Sequence, residues 1–257
     1  MALPFALPAS LDASFTMSCP TEADINTLAN VYFDSFATDL SNTYWWSEDR
    51  EAMFEWLHER IRRKMSDRSV RHFQILDDQE EVVAFARWDI PKGYEAQFGE
   101  WVGVDDVLDV SRAVSEDGTN EPATTTAPVE EAAPAAAKTI SIPRGSDPEL
   151  CQTFFAKLAA LSKKWDAEKM LGLSLLCTTP KYFRRGAGEA LVVPMLAIAD
   201  AMGLRSYVEA THAGRHLYEK LGFRMVETKV LDATAATGGR VKGMSTISIM
   251  IREPRPR

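Results

Sequence analysis

The segment from Leu171 to Ala210 constrains the fold more than any other part of the sequence. An apolar run, MLGLSLLCTTP at 170–180, leads into a helical pattern that continues to about Met202 and is followed by RSYVEA at 205–210. An apolar run without alternation predicts a strand that is covered on both faces. A strand, a helix and a second strand form a crossover unit, whose two strands run parallel. The sequence therefore predicts a parallel strand pair buried between helices.

The rest of the chain also interleaves strands and helices. Residues 69–78 and 81–90 are rich in β-forming residues and flank the turn sequence DDQE, which predicts a hairpin. Helical spacing of apolar residues runs through 21–36, 48–65 and 146–165, and capping-box spacing of Ser146 and Glu149 predicts the start of the last. The complete order predicts a mixed central sheet of the α+β (α/β mixed) class with helices on both faces.

One segment departs from this pattern. Residues 112–138 contain no aromatic residue, no Leu and no Ile, and they include three prolines. Such a composition buries too little apolar surface to offset the entropy of ordering. With 257 residues and 46% hydrophobic content, the remainder suffices for a full-sized core. We expect a single domain spanning 1–257 with a disordered insertion at about 112–138.

Charge and cysteine content exclude several classes of function. The net charge of −8 argues against a broad nucleic-acid-binding face, although an acidic surface would suit amines or basic peptides. No apolar run approaches ~18 residues, so we expect no membrane span, and the start lacks the basic region of a signal peptide. The three cysteines and four histidines have no metal-type spacing. We expect no metal and a reducing, cytoplasmic location.

The stretch PKYFRRGAGEAL at 180–191 is the strongest local motif. Gly186 and Gly188 would each cost about 0.8–1 kcal/mol relative to Ala in a helix interior. At a helix start, glycines let a ligand approach the backbone, and the free N–H groups favour an anion. Arg184 and Arg185 add positive charge beside them. The motif predicts a pyrophosphate site; the alternative is a tight strand-to-helix turn without a ligand.

Together with LYEKLGF at 217–223, this stretch resembles the GNAT superfamily of acetyl-CoA-dependent N-acetyltransferases. The sequence ADAMGL at 199–204 and the insertion are similar to fungal members. The resemblance implies that acetyl-CoA is the co-substrate and that its pyrophosphate lies on the backbone amides of an R/Q-x-x-G-x-G/A turn. Phe183 departs from that pattern, where Gln or Arg is usual. The turn and the first helical turn after it comprise Phe183, Arg184, Arg185, Gly186, Ala187, Gly188 and Glu189.

The same resemblance implies that the apolar strand separates from the next parallel strand. Pantetheine would then lie along unpaired backbone groups of the first strand, like an added strand. These groups belong to Leu175, Leu176, Cys177 and Thr178. A backbone N–H among them would polarise the thioester carbonyl. The alternative is an ordinary buried central strand.

Two residues are candidates for proton transfer. The resemblance implies that Tyr218 lies against the sulfur of CoA, where its proton could pass to the leaving thiolate; the alternative is a packed structural tyrosine. Glu209 shares a strand face with Tyr207 and could take the proton of the attacking amine. His212 is an alternative base, and an amine of low pKa would need none.

The acceptor pocket is predicted from aromatic residues in the loop between the first two helices. Tyr44, Trp45 and Trp46, with Trp88, could clamp an apolar amine or a cation. The alternative is a hydrophobic cover on the core. We expect transfer of an acetyl group to a primary amine of a small molecule. A protein or peptide acetyltransferase and a non-catalytic acyl-CoA-binding module are the alternatives.

Overall fold

The structure is a computed structural model of the 257-residue chain, and it describes residues 3–8, 11–37, 39, 43–104 and 141–256. The predicted insertion at 112–138 lies outside the described residues. Its disorder and the single domain spanning 1–257 therefore stay predictions.

The helices follow the predicted order closely. They are α1 (Ile25–Phe36), α2 (Arg50–Met65), α3 (Pro148–Lys164), α4 (Ala187–Ala201), α5 (His212–Lys220) and the short α6 (Ala233–Ala236). The predicted cap pair of α3, Ser146 and Glu149, is wrong. Pro148 takes the first helical position, so Asp147 is the capping residue, and its Oδ1 accepts the N–H of Leu150 at 3.0 Å.

The strands form one sheet. They are β1 (Thr16–Ser18), β2 (Val70–Leu76), β3 (Val82–Asp89), β4 (Leu171–Thr178), β5 (Ser206–Ala210), β6 (Arg224–Asp232) and β7 (Met244–Arg252). Their spatial order is β1-β2-β3-β4-β5-β7-β6, with β4 and β5 parallel and the other neighbours antiparallel. The prediction of a mixed sheet with one parallel pair is confirmed.

Two hydrophobic clusters cover the two faces of this sheet. On one side, here called the α4 face, α4 and part of α5 pack on alternate strand residues such as Ala86 and Trp88. On the other side, the α1 face, α1, α2 and α3 pack on Phe85, Tyr207 and their neighbours. Strand alternation thus assigns each side chain of the central strands to one face.

The C-terminal end of α4 is fixed by the last strand. Arg252 of β7 forms two hydrogen bonds with the carboxylate of Asp200, at 2.6 and 2.7 Å, and donates a third to the carbonyl of Leu221 at 3.0 Å. The side chain of Arg252 is only 4% exposed and that of Asp200 19%. This pair joins α4, α5 and the sheet at a buried point.

Replacing Arg252 with leucine should lower the free energy of unfolding by about 3 kcal/mol or more, because it leaves the carboxylate of Asp200 without its main partner. Chemical denaturation would measure the change. Arg224→Leu, at an exposed position of β6, is the matched control. Adding Asp200→Asn should recover part of the loss. A value for Arg252→Leu within 0.5 kcal/mol of the control, which is about the range of ordinary surface substitutions, would contradict the assignment.

Candidate active site

The parallel strands β4 and β5 separate partway along their length. They pair only at Leu171–Leu173 with Ser206–Val208. Beyond that point, β4 continues to Thr178 paired with β3 alone, and β5 continues to Ala210 paired with β7 alone. The facing edges of the two strands therefore diverge, as the resemblance implied. Backbone groups of residues 175–178 that point toward β5 lie along the resulting cleft.

A β-bulge lies where the separation begins. Arg87 pairs with Leu175 and Trp88 with Leu173, so Ser174 is the extra residue on β4. The buried Arg87 holds it: Nε donates to Ser174 Oγ at 2.9 Å and Nη2 to Ser174 O at 3.3 Å. Sequence reasoning missed this pair. An arginine within the otherwise apolar run VVAFARW was the available signal.

The glycine turn opens the next helix at the end of the same cleft. Arg184 and Gly186 have positive φ, 66° and 85°, and Gly186 immediately precedes α4. The N–H groups of residues 184–189 donate to no acceptor within the described part of the chain. The first hydrogen bond of the helix runs from Ala190 N to Gly186 O at 2.9 Å. A row of free donors at a helix N-terminus is suited to an anion such as a diphosphate.

Gly188 leaves the passage between this turn and α5 open. A Cβ at Gly188 would lie 3.5 Å from Leu217 of α5 and 3.7 Å from Leu176 of β4. Both distances are ordinary van der Waals contacts, so an alanine would fit at this position. The glycine leaves room between the backbone of β4 and α5.

The side chains around the turn divide into two groups. Arg185 points toward the N-terminal segment, where its guanidinium lies 4.7 Å from the Phe15 ring and 3.8 Å from Asp12. Phe183 and Arg184 are exposed. The carboxylate of Glu189 is engaged by Lys220 at 2.6 Å, so only its backbone is available to an anion.

Tyr182 connects the glycine turn to the β2–β3 hairpin. Tyr182 donates its hydroxyl proton to the carboxylate of Asp77 in the β2–β3 turn. This bond holds the pKa of Asp77 below its usual value. Asp77 also accepts the backbone N–H groups of Gln79 and Glu81 at 3.0 Å each. The β2–β3 hairpin therefore supports the glycine turn through one buried hydrogen bond, which sequence reasoning did not find.

Tyr218 lies on α5 and faces the α4 side of the cleft. It is 6% exposed and packs on Phe223 with ring centroids 5.8 Å apart. Burial and the nearby Cys177 thiol of β4 raise the pKa of Tyr218, so its hydroxyl is protonated at neutral pH. Gly214 accommodates the ring, because a Cβ there would lie only 2.9 Å from Tyr218 Cε2. A glycine four residues before the tyrosine on a helix was the signal for that role.

Glu209 approaches from the other face of the sheet, on the part of β5 that β4 has left. Burial raises the pKa of Glu209 to about 7, although a hydrogen bond from Tyr207 Oη at 2.9 Å lowers it. The carboxylate of Asp89 adds a smaller upward contribution. A carboxyl group with this pKa is partly ionised at neutral pH and can accept a proton. His212, the alternative base, is exposed at the start of α5.

The aromatic residues predicted for the acceptor pocket are mostly core residues. Trp45 is 3% exposed and stacks on Phe154 of α3 at 5.4 Å. Trp46 packs edge-on against Tyr32 at 6.5 Å, and Tyr44 packs against Phe154 at 6.1 Å. These contacts favour the alternative interpretation, a hydrophobic cover on the α1 face.

Trp88 does not belong with this group. It is 0% exposed and lies on the α4 face, because strand alternation directs it away from Arg87 and Asp89. Its complete burial offers no surface to an acceptor, and we do not retain it as a substrate-binding residue.

Among the described residues, no group of three or more His, Cys, Asp and Glu side chains could hold a metal ion. No helix in this part of the chain combines the length and apolar character that a membrane crossing requires.

A separating parallel pair followed by a glycine turn at a helix N-terminus is the arrangement that the resemblance implied. The model of the Acetyltransferase (GNAT) family matches residues 158–223, from α3 through the cleft to Phe223. Over this part the chain is similar to the GNAT acetyltransferases, and it has their fold, whose co-substrate is acetyl-CoA. The free N–H groups of the turn and the open edge of β4 fit that molecule.

Several solved structures have the same fold. A Corynebacterium glutamicum protein described as histone acetyltransferase HPA2 and related acetyltransferase has a TM-score of 0.51 at 20% identity, covering 95% of this chain and 98% of its own. Drosophila melanogaster polyamine N-acetyltransferase gives 0.52 at 13% identity, covering 93% and 99%. Mosquito arylalkylamine N-acetyltransferase like 5b has a TM-score of 0.50 at 12% identity, and the match covers 93% of this chain and 100% of its own. No curated protein matches the chain in sequence.

Proposed function

We propose that this protein transfers the acetyl group of acetyl-CoA to a primary amine of a small molecule. One observation carries the proposal: a cleft that opens from a row of free N–H donors has a protonated tyrosine on one side and a carboxyl group of pKa about 7 on the other. An acyl transfer to an amine needs an anion anchor, a proton donor and a proton acceptor in this relation.

In this proposal the backbone binds the co-substrate. The N–H groups of residues 184–189 hold the pyrophosphate, and Arg184 adds an exposed positive charge. The edge of Leu175–Thr178 that β5 has left holds the pantetheine, and at its end the Thr178 carbonyl accepts the Ser35 hydroxyl at 2.8 Å. Bound acetyl-CoA supplies the thioester that the amine attacks. Arg87 fixes the bulge at Ser174 and so aims the amides after it at the thioester carbonyl.

Glu209 and Tyr218 then move protons at opposite ends of the reaction. Glu209 Oε1 or Oε2 takes a proton from the ammonium form of the acceptor, directly or through one water, and thereby makes it nucleophilic. Tyr218 Oη donates its proton to the sulfur as the thiolate leaves. Its raised pKa keeps the hydroxyl protonated before the reaction, and the proton that the acceptor nitrogen loses as the amide forms restores it.

A small acceptor is favoured over a peptide by the way the α1 face is closed. Tyr44, before α2, reaches the loop between β6 and β7, where a Cβ at Gly243 would lie 3.1 Å from Tyr44 Cβ. The aromatic contacts of Phe154 with Tyr44 and Trp45 add α3 to this closure. This arrangement leaves less room for an extended chain than for a compact amine. Proteins with the same fold include enzymes described as polyamine and arylalkylamine acetyltransferases.

The proposal also covers the partners and the cellular compartment of the protein. We propose no nucleic-acid or membrane partner, on the net charge of −8 and the absence of a long apolar run. Three free cysteines, Cys19, Cys151 and Cys177, are in keeping with a reducing compartment, and we propose the cytoplasm. The similarity to fungal members also stays a prediction.

A turnover assay with acetyl-CoA tests the proposal directly. Release of CoA would be followed with a panel of diamines, arylalkylamines and amino acids, with a lysine-rich peptide as the protein-type acceptor. Faster turnover of a small amine supports the proposal. Preference for the peptide would favour the protein acetyltransferase. Tight CoA binding without transfer to any acceptor would favour a non-catalytic binding module.

The pH dependence of turnover should reveal Glu209. Because a base works only when ionised, kcat/KM should fall with unit slope as the pH drops below about 7, the raised pKa of Glu209. Glu209→Gln should remove this limb and lower kcat by about 100-fold or more. Tyr207→Phe removes the hydrogen bond that lowers this pKa, so the limb should move to higher pH.

Glu59→Gln, at an exposed position of α2, is the control for loss of one negative charge. A low-pH limb that persists unchanged in Glu209→Gln would assign it to another group, with His212 the first to test.

A further inference from the structure

Arg60 is a half-buried cation with no counter-ion among the described residues. It lies on α2, 5.1 Å from the Trp56 ring and 5.5 Å from the Phe155 ring of α3. Its Nε is buried and has no hydrogen-bond acceptor, and Arg60 forms no ion pair with any described residue. Buried donors in proteins are ordinarily hydrogen-bonded, so a buried Nε without an acceptor requires an explanation.

The neighbouring groups do not supply the missing anion. The nearest carboxylate that acts on Arg60, Asp89 of β3, is engaged by Lys64 at 3.3 Å. Arg87 is also cationic, and its Nε and Nη2 donate to Ser174. Burial lowers the pKa of Arg60 to about 10, so it stays charged at neutral pH. The region between α2, α3 and β3 therefore has an excess of positive charge.

The register of the sheet relates this region to Glu209. Asp89 pairs with Gly172 of β4, and Gly172 pairs with Tyr207 of β5, so the three residues lie on one line across the α1 face. Gly172 has no side chain, and the only contacts that a Cβ there would make within 4 Å are with Asp89, at 3.6 Å. A side chain as small as a methyl group would therefore meet only Asp89 at this point of the α1 face.

Glu209 lies two residues beyond Tyr207 on the same face and is close enough to Asp89 for that carboxylate to raise its pKa. Arg60 is likewise close enough to Asp89 for that carboxylate to raise its pKa, so Asp89 is a neighbour of both Arg60 and Glu209. A ligand that extends from Arg60 past Asp89 to Glu209 would meet a guanidinium at one end and a carboxyl base at the other.

We propose that Arg60 binds a carboxylate of the acceptor, and that the acceptor is an amino acid or another small amino-carboxylate. The planar guanidinium presents paired donors that match a carboxylate in two parallel hydrogen bonds. Its position between Trp56 and Phe155 fixes the plane of that fork. This inference rests on the proposed function, because it names the acceptor whose amine Glu209 serves.

Matched acceptors test the inference with the full chain. The pairs are L-phenylalanine with 2-phenylethylamine and L-lysine with 1,5-diaminopentane, which differ only in the carboxylate. We expect kcat/KM to be about tenfold or more higher for the amino acid of a pair, the value of a charge-assisted hydrogen bond. Equal or better use of both decarboxylated amines would overturn the inference.

Variants then assign the preference to Arg60. Arg60→Gln keeps the length of the side chain and removes the charge, and it should raise KM for the preferred amino acid by about tenfold or more with kcat nearly unchanged. The same variant should leave KM for the matched amine unaltered. Arg63→Gln, an exposed cation on the same helix, is the control and should change neither. An equal effect of Arg60→Gln on both members of a pair would indicate a structural role and reject the inference.

A binding measurement separates this inference from the proposed function. Calorimetry on the CoA-loaded protein would compare N-acetyl-L-phenylalanine with N-acetyl-2-phenylethylamine, in the wild type and in Arg60→Gln. Binding of the acid that depends on Arg60, without turnover of any amine, would support the carboxylate site and reject catalysis. Turnover of amines with no Arg60-dependent binding of the acid would reject the carboxylate site and leave the acetyltransferase intact.

Discussion

Replacing Gly186 with aspartate should weaken the binding of CoA by about 100-fold or more, or roughly 2.7 kcal/mol. The φ of 85° at this position is one that Asp adopts only at some cost, and the new carboxylate would stand among the N–H donors of residues 184–189. A negative charge there competes with the diphosphate for the same helix N-terminus. Titration calorimetry with CoA measures the loss.

Gly186→Asn is the matched control, because Asn has the same shape, tolerates positive φ and carries no charge. It should retain most of the affinity. Gly203→Asp, at the opposite end of α4 with φ 65° and no atom within 4 Å of its Cβ, controls for backbone strain. CoA affinity that is the same in Gly186→Asp and the wild type would remove the anion site, and with it the proposed function.

Replacing Tyr218 with phenylalanine should lower kcat by about 100-fold or more, the usual contribution of a positioned proton donor. The Kd of CoA should change little, since the diphosphate contacts lie on the backbone of α4 and not on α5. Stopped-flow or steady-state kinetics with the best acceptor, together with calorimetry for CoA, separates the two quantities. Tyr94→Phe, outside the cleft, is the matched control.

A second variant addresses the position of the ring without removing the hydroxyl. Gly214→Ala places a methyl group 2.9 Å from Tyr218 Cε2, so the ring must shift. It should reduce kcat while the hydroxyl is still present. If Tyr218→Phe retains full turnover, the tyrosine has the packing role that the sequence left open.

The elements that the sequence predicted well are those set by local pattern. The apolar run at 170–180, the helix after the glycine turn and the strand at 205–210 became β4, α4 and β5 within a few residues. Their parallel relation followed from the handedness of crossovers, which leaves little choice. The free N–H groups after Gly186 were likewise predictable, because every helix begins with unpaired donors.

The sequence alone did not predict the features that depend on contacts between distant segments. The bulge at Ser174 arises from a mismatch of β3 and β4, and nothing in either strand alone fixes the register. The isolation of Arg60 depends on α3, which is separated from α2 by a long stretch of chain. The sequence left open whether Trp45 clamps an acceptor or covers the core, and α3 covers it. Trp88 is different, since its alternation with Arg87 and Asp89 was a signal for its face that the prediction of a substrate-binding role did not use.

The candidate site residues likewise include some that the sequence predicted and some that it did not. Glu209 and Tyr218 were predicted from strand alternation and from the resemblance; the structure places Glu209 on the part of β5 that β4 has left and Tyr218 near Cys177 of β4. Their roles stay predictions until the variants are measured. Asp77, Tyr182 and Gly214 support the site through contacts that only the folded chain reveals.

The insertion of β7 between β5 and β6 has a consequence for biosynthesis. The strand that carries Glu209 gains its second neighbour only when residues 244–252 have left the ribosome. Until then, a nascent chain with a complete diphosphate anchor presents the edge of β5 as a template for pairing with other chains. The order of the strands thus leaves the edge of β5 open until the last strand is synthesised.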